Sequence, residues 1–128
     1  MEHPIVEKIL KDGLNSVNLS MLDDEARRKI LSDAGEKLYR QNKFLEAIDI
    51  MIKANDIEKL RKLGELFHSQ NRIELATLCY IPTKDKQMLN NLAVLCISLN
   101  NYKLAAKAYE AAENVQMASF ISKNFTEE

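Results

Sequence analysis

Glu65-Leu66-Phe67-His68 is an E-x-x-H segment, the spacing that lets a carboxylate and an imidazole on one helix face reach a single metal ion, as in di-iron helical bundles. Such a centre needs a second E-x-x-H and two more inward carboxylates. The other histidine is His3, next to the N-terminus, so no metal site and no cofactor are expected. Cys79 and Cys96 stand 17 residues apart without a second metal-type pair, and both are expected as small buried hydrophobes. Glycines occur singly at Gly13, Gly35 and Gly64, which rules out a Gly-rich phosphate loop. No Ser, Cys or Lys nucleophile lies in a motif, and two histidines supply little acid–base equipment. The chain is therefore expected not to be an enzyme. Arg27-Arg28-Lys29 is preceded by Asp23-Asp24-Glu25, an order that suits a helix with solvated charges more than a nucleic-acid contact.

The whole-chain balance agrees. Eighteen Lys and Arg stand against 19 Asp and Glu in 128 residues, for a formal charge of −1, so no sequence-wide field draws the chain to nucleic acid or anionic lipid. No basic leader with an apolar run opens the sequence and no long apolar window crosses it, which predicts a cytoplasmic chain without membrane insertion. Three glycines and two prolines, with no alternating β-branched runs, leave helix as the element in quantity.

The chain is internally repetitive at a period of 29. Setting Leu31, Leu60 and Leu89 in register aligns Ala34 with Leu63 and Leu92, and Gly35 with Gly64 and Ala93. Farther along, Leu38 aligns with Phe67 and Cys96, Asn42 with Asn71 and Asn100, and Phe44 with Ile73 and Tyr102. Ala47, Ala76 and Ala105 form the next column, and Met51, Tyr80 and Tyr109 the last. Before each Asn the apolar residues fall at offsets 0, 3, 4 and 7, and after it the pattern restarts in a new phase. Each unit is thus two helices broken at an Asn, a residue that tolerates the left-handed conformation. The Gly and Ala columns permit close helix approach, and the aromatic or Ile after each Asn fills the closed end of the hairpin.

Helices are predicted near 4–13, 23–41, 44–54, 56–70, 73–81, 84–99, 102–113 and 115–125. Asn55-Asp56-Ile57-Glu58 has the form of a capping box, and Pro82-Thr83 would end one helix and cap the next. Residues 1–20 are expected to be an N-terminal amphipathic helix, with the stripe Ile5, Val6, Ile9 and Leu10, plus a polar linker, NSVNLS. Residues 21–128 would be the repeat domain, with units about 28–56, 57–85 and 86–114. Ala118, Ile121, Ser122 and Phe125 then put the apolar face of a capping helix over 115–125. One helical pair cannot bury its apolar face alone, so the units must stack.

The stretch GEKLYRQNKFLEAIDIMIKA, Gly35 to Ala54, resembles a tetratricopeptide repeat, with Gly35, Leu38, Asn42, Phe44, Ala47, Met51 and Ala54 in the family's places. The resemblance covers about Leu31 to Ala112. The period is shorter than the family's usual ~34 residues, and Lys59, Met88 and Met117 replace its closing Pro. In period the chain is also similar to the helical repeats of vesicle-coat and intraflagellar-transport proteins. The resemblance implies an all-α, right-handed superhelix of three helical hairpins with an extra helix at each end. It also implies an adaptor that binds a protein partner's helical or extended peptide in a concave groove.

Carried over by column, that groove would hold Lys29, Glu36, Tyr39 and Arg40 from the first unit, Arg61, Glu65 and His68 from the second, and Asn90, Val94 and Ile97 from the third. Ser32 shares the column of Arg61 and Asn90. The family's Lys/Asn clamp for a terminal carboxylate is absent, since Ser32 and Glu36 take those places. The run Leu92 to Ile97 is apolar all round, which predicts burial on both sides. The alternatives are that the N-terminal stripe folds back onto Val94 and Ile97, that two copies pair there as a homodimer scaffold, or that the chain is a helical RNA-binding or enzyme-accessory domain.

Overall fold

A computed structural model describes residues 4–14, 17–20 and 22–125, and among these the chain is all-α, with eight α-helices and no strand. The helices are α1 (Pro4–Asp12), α2 (Asp24–Arg40), α3 (Phe44–Lys53), α4 (Ile57–Ser69), α5 (Ile73–Tyr80), α6 (Lys86–Ser98), α7 (Tyr102–Ala111) and α8 (Val115–Asn124), with a 3-10 turn at Ile81–Thr83 between α5 and α6. The break points expected from the 29-residue pattern are met within a few residues. The chain divides into two compact units between Lys59 and Leu60, inside α4.

Every helix from α2 to α7 ends in a residue with positive φ. Asn42, Asn71 and Asn100 lie at 63°, 61° and 63°, as the Asn column predicts. A second column at the same period was not legible: Asn55, Lys84 and Glu113 lie at 55°, 59° and 63°. Five of the six turns close as Schellman motifs. After α2, the Lys43 N–H donates to the Leu38 carbonyl at 2.9 Å and the Asn42 N–H to Tyr39 at 3.0 Å. The same pair of bonds follows α3 (Asp56 to Met51, Asn55 to Ile52), α4 (Arg72 to Phe67, Asn71 to His68), α6 (Asn101 to Cys96, Asn100 to Ile97) and α7 (Asn114 to Tyr109, Glu113 to Glu110). In the turn before α6 a hydroxyl relays the long bond: Asp85 N–H donates to Thr83 Oγ1, which donates to the Tyr80 carbonyl.

The capping residues sit one or two places later than expected. Asp56 accepts from the Lys59 N–H, Asp85 from Met88 and Asn114 from Met117, a third 29-residue column. Asn55 is thus the last turn residue of α3 instead of opening a capping box with Glu58, and Thr83 closes a turn while Asp85 caps α6. The displacement has a simple cause: the left-handed residue must precede the cap, so the polar pair Asn55-Asp56 splits its two tasks.

In the first unit α1 packs on α2. Val6 and Ile9 are buried in a core with Ile30, Leu31, Ala34, Leu38, Ala47 and Ile50, and each such Val, Ile or Leu side chain stabilises by about 1.5–3 kcal/mol relative to exposure. The N-terminal stripe is therefore packed within its own unit. The linker also contributes: Leu14, Val17, Leu19 and Leu22 pack against this core, while the Asn18 side chain accepts from the Ser20 N–H and hydroxyl. In the second unit Leu60, Phe67, Tyr80, Leu89, Leu92, Cys96 and Ile121 are buried.

The small columns work as close contacts. Ala47, Ala76 and Ala105 have no exposed surface. A Cβ on Gly35 would meet the Met51 side chain at 3.0 Å, and one on Gly64 would meet the Tyr80 ring at 2.8 Å and 2.9 Å. Met51 can bend away, whereas the Tyr80 ring is rigid and buried.

Three substitutions should separate in urea unfolding. Gly64→Ala should destabilise by about 1 kcal/mol net, overpacking outweighing the better helix propensity, while Gly35→Ala should be neutral or slightly stabilising. Lys84→Gly should raise stability by about 0.5–1 kcal/mol by relieving a left-handed lysine.

Candidate functional site

The ten positions carried over from the repeat columns lie on α2, α4 and α6. On α2, Lys29 is exposed and 3.7 Å from Asp33, and Glu36 forms an ion pair with Lys59. Tyr39 is half-buried, with its ring 5.4 Å from that of Phe44 at the closed end of the hairpin, and Arg40 is exposed. On α4, Glu65 and His68 are exposed and Arg61 is half-buried. On α6, Val94 is 54% exposed, Ile97 is half-buried and Asn90 is half-buried.

The apolar run on α6 is buried on one side only. Leu92, Ala93 and Cys96 face the core, and Val94 faces out. The expectation of burial on both sides fails at that residue because its column, shared with Glu36 and Glu65, points away from the partner helix in every unit.

One polar column holds units together. Ser32 is buried, its Oγ donating to Asp56 Oδ2 at 2.7 Å and accepting from Lys59 Nζ at 3.2 Å. Asn114 Nδ2 donates to Asn90 Oδ1 at 3.0 Å, and Asn90 Nδ2 donates to the Lys86 carbonyl. In both cases a first-helix side chain bonds the residue that caps the next unit's first helix, 24 positions on. Ser32 is thus a tie instead of a groove residue, and Asn90 carries the same tie within the second unit.

The remaining chemistry is muted by burial. Cys79 and Cys96 are free and buried; burial pushes the Cys79 thiol up to about 12 and raises that of Cys96, against an opposing hydrogen bond with Thr77. Neither offers a thiolate near neutral pH. Burial also raises the Tyr80 phenol, with Glu65 and Asp85 adding to it and Arg61 opposing. Among the described residues no group of three His, Cys, Asp or Glu could hold a metal, and His3 lies outside them. No helix there is long and apolar enough to cross a membrane.

Some of the apolar surface was not legible in the repeat. Tyr102 stacks on Phe125 at 4.8 Å, and Phe120 meets the same ring edge-on at 6.0 Å, a cluster that joins α7 to the end of α8. Phe120 and Phe125 are both about half exposed. The chain matches no family model, no curated protein and no solved structure.

With Asn90 bonded to the cap of α8, Asn90→Ala should lower stability by about 1 kcal/mol, the usual net worth of a hydrogen bond whose partner loses its mate. Thermal melting followed by circular dichroism checks this.

Proposed function

We propose that this chain is a non-catalytic interaction module whose first helices, α2, α4 and α6, present a strip to a protein partner's amphipathic helix or extended segment. The reading includes the right-handed superhelical stacking of the three hairpins that the resemblance implies, and a cytoplasmic setting. The single observation that carries it is Val94, an apolar side chain left open on a helix whose other face is wholly in the core. An isolated exposed Val is ordinary. Here it is flanked by half-buried Ile97 one turn on, and its column carries Glu65 on α4. An apolar centre with charged surroundings suits the apolar stripe and polar edges of an amphipathic helix. Rigid helices fixed by Schellman turns and cap ties would need little ordering on docking. The near-zero net charge supplies no general attraction to nucleic acid.

Selection from a displayed library of helical peptides tests this reading. Amphipathic sequences should enrich on the native chain and bind Val94→Asp at least about tenfold more weakly, a loss of ~1.4 kcal/mol, with the melting temperature unchanged. Failure of any sequence to enrich, or equal binding to Val94→Asp, would contradict it. A concentration-dependent doubling of mass that Val94→Asp abolishes would instead assign the surface to a second copy.

A further inference from the structure

Beside α8 lies a groove of about 580 Å³, lined by Lys103, Ala106 and Lys107 of α7 and by Ala118, Ser119 and Ser122 of α8, among others. The internal repeat says what belongs there. Moving each residue back by 29 positions turns Ala106 into Thr77, Ala118 into Leu89 and Ser122 into Ala93, and all three of these are fully buried. They are covered in a setting where α7 packs on α6 and α5. The groove on α7 and α8 is thus the same seat one unit later, without its helix among the described residues. Phe125 shows the same vacancy from the other end: it is 47% exposed, whereas Leu38, Phe67 and Cys96 in its column are buried.

The geometry points to this groove as a docking seat for one amphipathic helix supplied by a partner protein. The repeat also specifies that helix. In the first two hairpins the second helix brings Met51 or Tyr80, four residues after a buried Ala, against Gly35 or Gly64, and Tyr109 and Ala93 hold the same columns in the third. Ser122 occupies the small column in α8, so the partner helix should carry Ala and, one turn on, an aromatic or Met. Its polar end is specified as well. In the preceding unit Glu74 accepts from Asn101 Nδ2, at the N-cap of α7. Lys103 stands in the place of Glu74, so the incoming helix should carry an acidic N-cap facing Lys103.

A second copy is a poor occupant. In its own segments with this pattern Ala47, Ala76 and Ala105 are fully buried, so a second copy could offer that face only by unfolding. The seat is distinct from the strip on α4 and α6 and does not depend on that strip binding anything.

The test uses a lactam-stapled synthetic peptide of residues 101–113 carrying Asn101→Asp, titrated into the full chain. Fluorescence anisotropy should show saturable binding, and amide shifts should concentrate at Ala106, Ala118, Ser119 and Ser122. Ser122→Arg in the full chain should weaken binding at least about tenfold. Should that variant not fold, Lys103→Glu serves: it should weaken this peptide more than one retaining Asn101. The proposal is overturned by absence of binding up to millimolar peptide, by indifference to both variants, or by shifts centred on Glu65, His68 and Val94. It is equally overturned if shifts reach Ala93 and Cys96, meaning that the peptide displaces α7, or if light scattering without peptide shows dimers that Ser122→Arg dissociates.

Discussion

The left-handed residue that follows each helix from α2 to α7 is the constraint on which the rest depends. From Asn42 to Glu113 such residues recur at alternating intervals of 13 and 16, which sum to the 29-residue period. A helix stops there because one residue reverses the sign of φ and the following amides turn back onto carbonyls of the last turn. Direction changes are therefore set locally, and tertiary packing has only to select among already reversed pairs. The cost falls on Lys84 and Glu113, which adopt a conformation unfavourable for L-residues other than Asn and Asp. At Glu113 part of that cost is offset by a 2.8 Å ion pair with Lys86, which holds its carboxyl below the usual range through the hydrogen bond and charge of that lysine.

Once the turns are fixed, two small columns decide how closely each pair closes. The Ala column, fully buried at 47, 76 and 105, and the Gly or Ala column at 35, 64 and 93 let the helices of a hairpin approach. The bulky residue at 51, 80 or 109 then fills what the small ones leave. Ties from Ser32 to Asp56 and from Asn90 to Asn114 join a first helix to the next cap. The same groups that end one helix and start another thus also hold a first helix to the cap that follows it, and side chains pointing the other way, such as Val94, are left exposed.

Much of this was legible before the structure because helix periodicity is a strong signal and the Asn column carries its own mechanism. The second turn column was not, since neither Lys84 nor Glu113 belongs to the residue types that signal a left-handed turn. Ser32 and Asn90 show a different limit: a polar residue facing solvent and one hydrogen-bonded to a neighbouring cap look alike in a linear pattern. Leu92 to Ile97 shows the converse, for an apolar run does not reveal that one of its members, Val94, faces away from the core. Hydrophobic residues in a nominally polar linker, Val17 and Leu19, were likewise passed over, yet both pack on the first core.

The most direct test of the account is a measurement of the backbone φ angle at residues 42, 55, 71, 84, 100 and 113, through three-bond amide to α-proton couplings and backbone carbon shifts in solution. Left-handed values at all six, with helical values through the intervening segments, are the result the account predicts. A right-handed helical value at Lys84 or Glu113, with the amides of Asp85 or Asn114 exchanging freely with solvent, would mean that the hairpins do not share one turn mechanism and would contradict it.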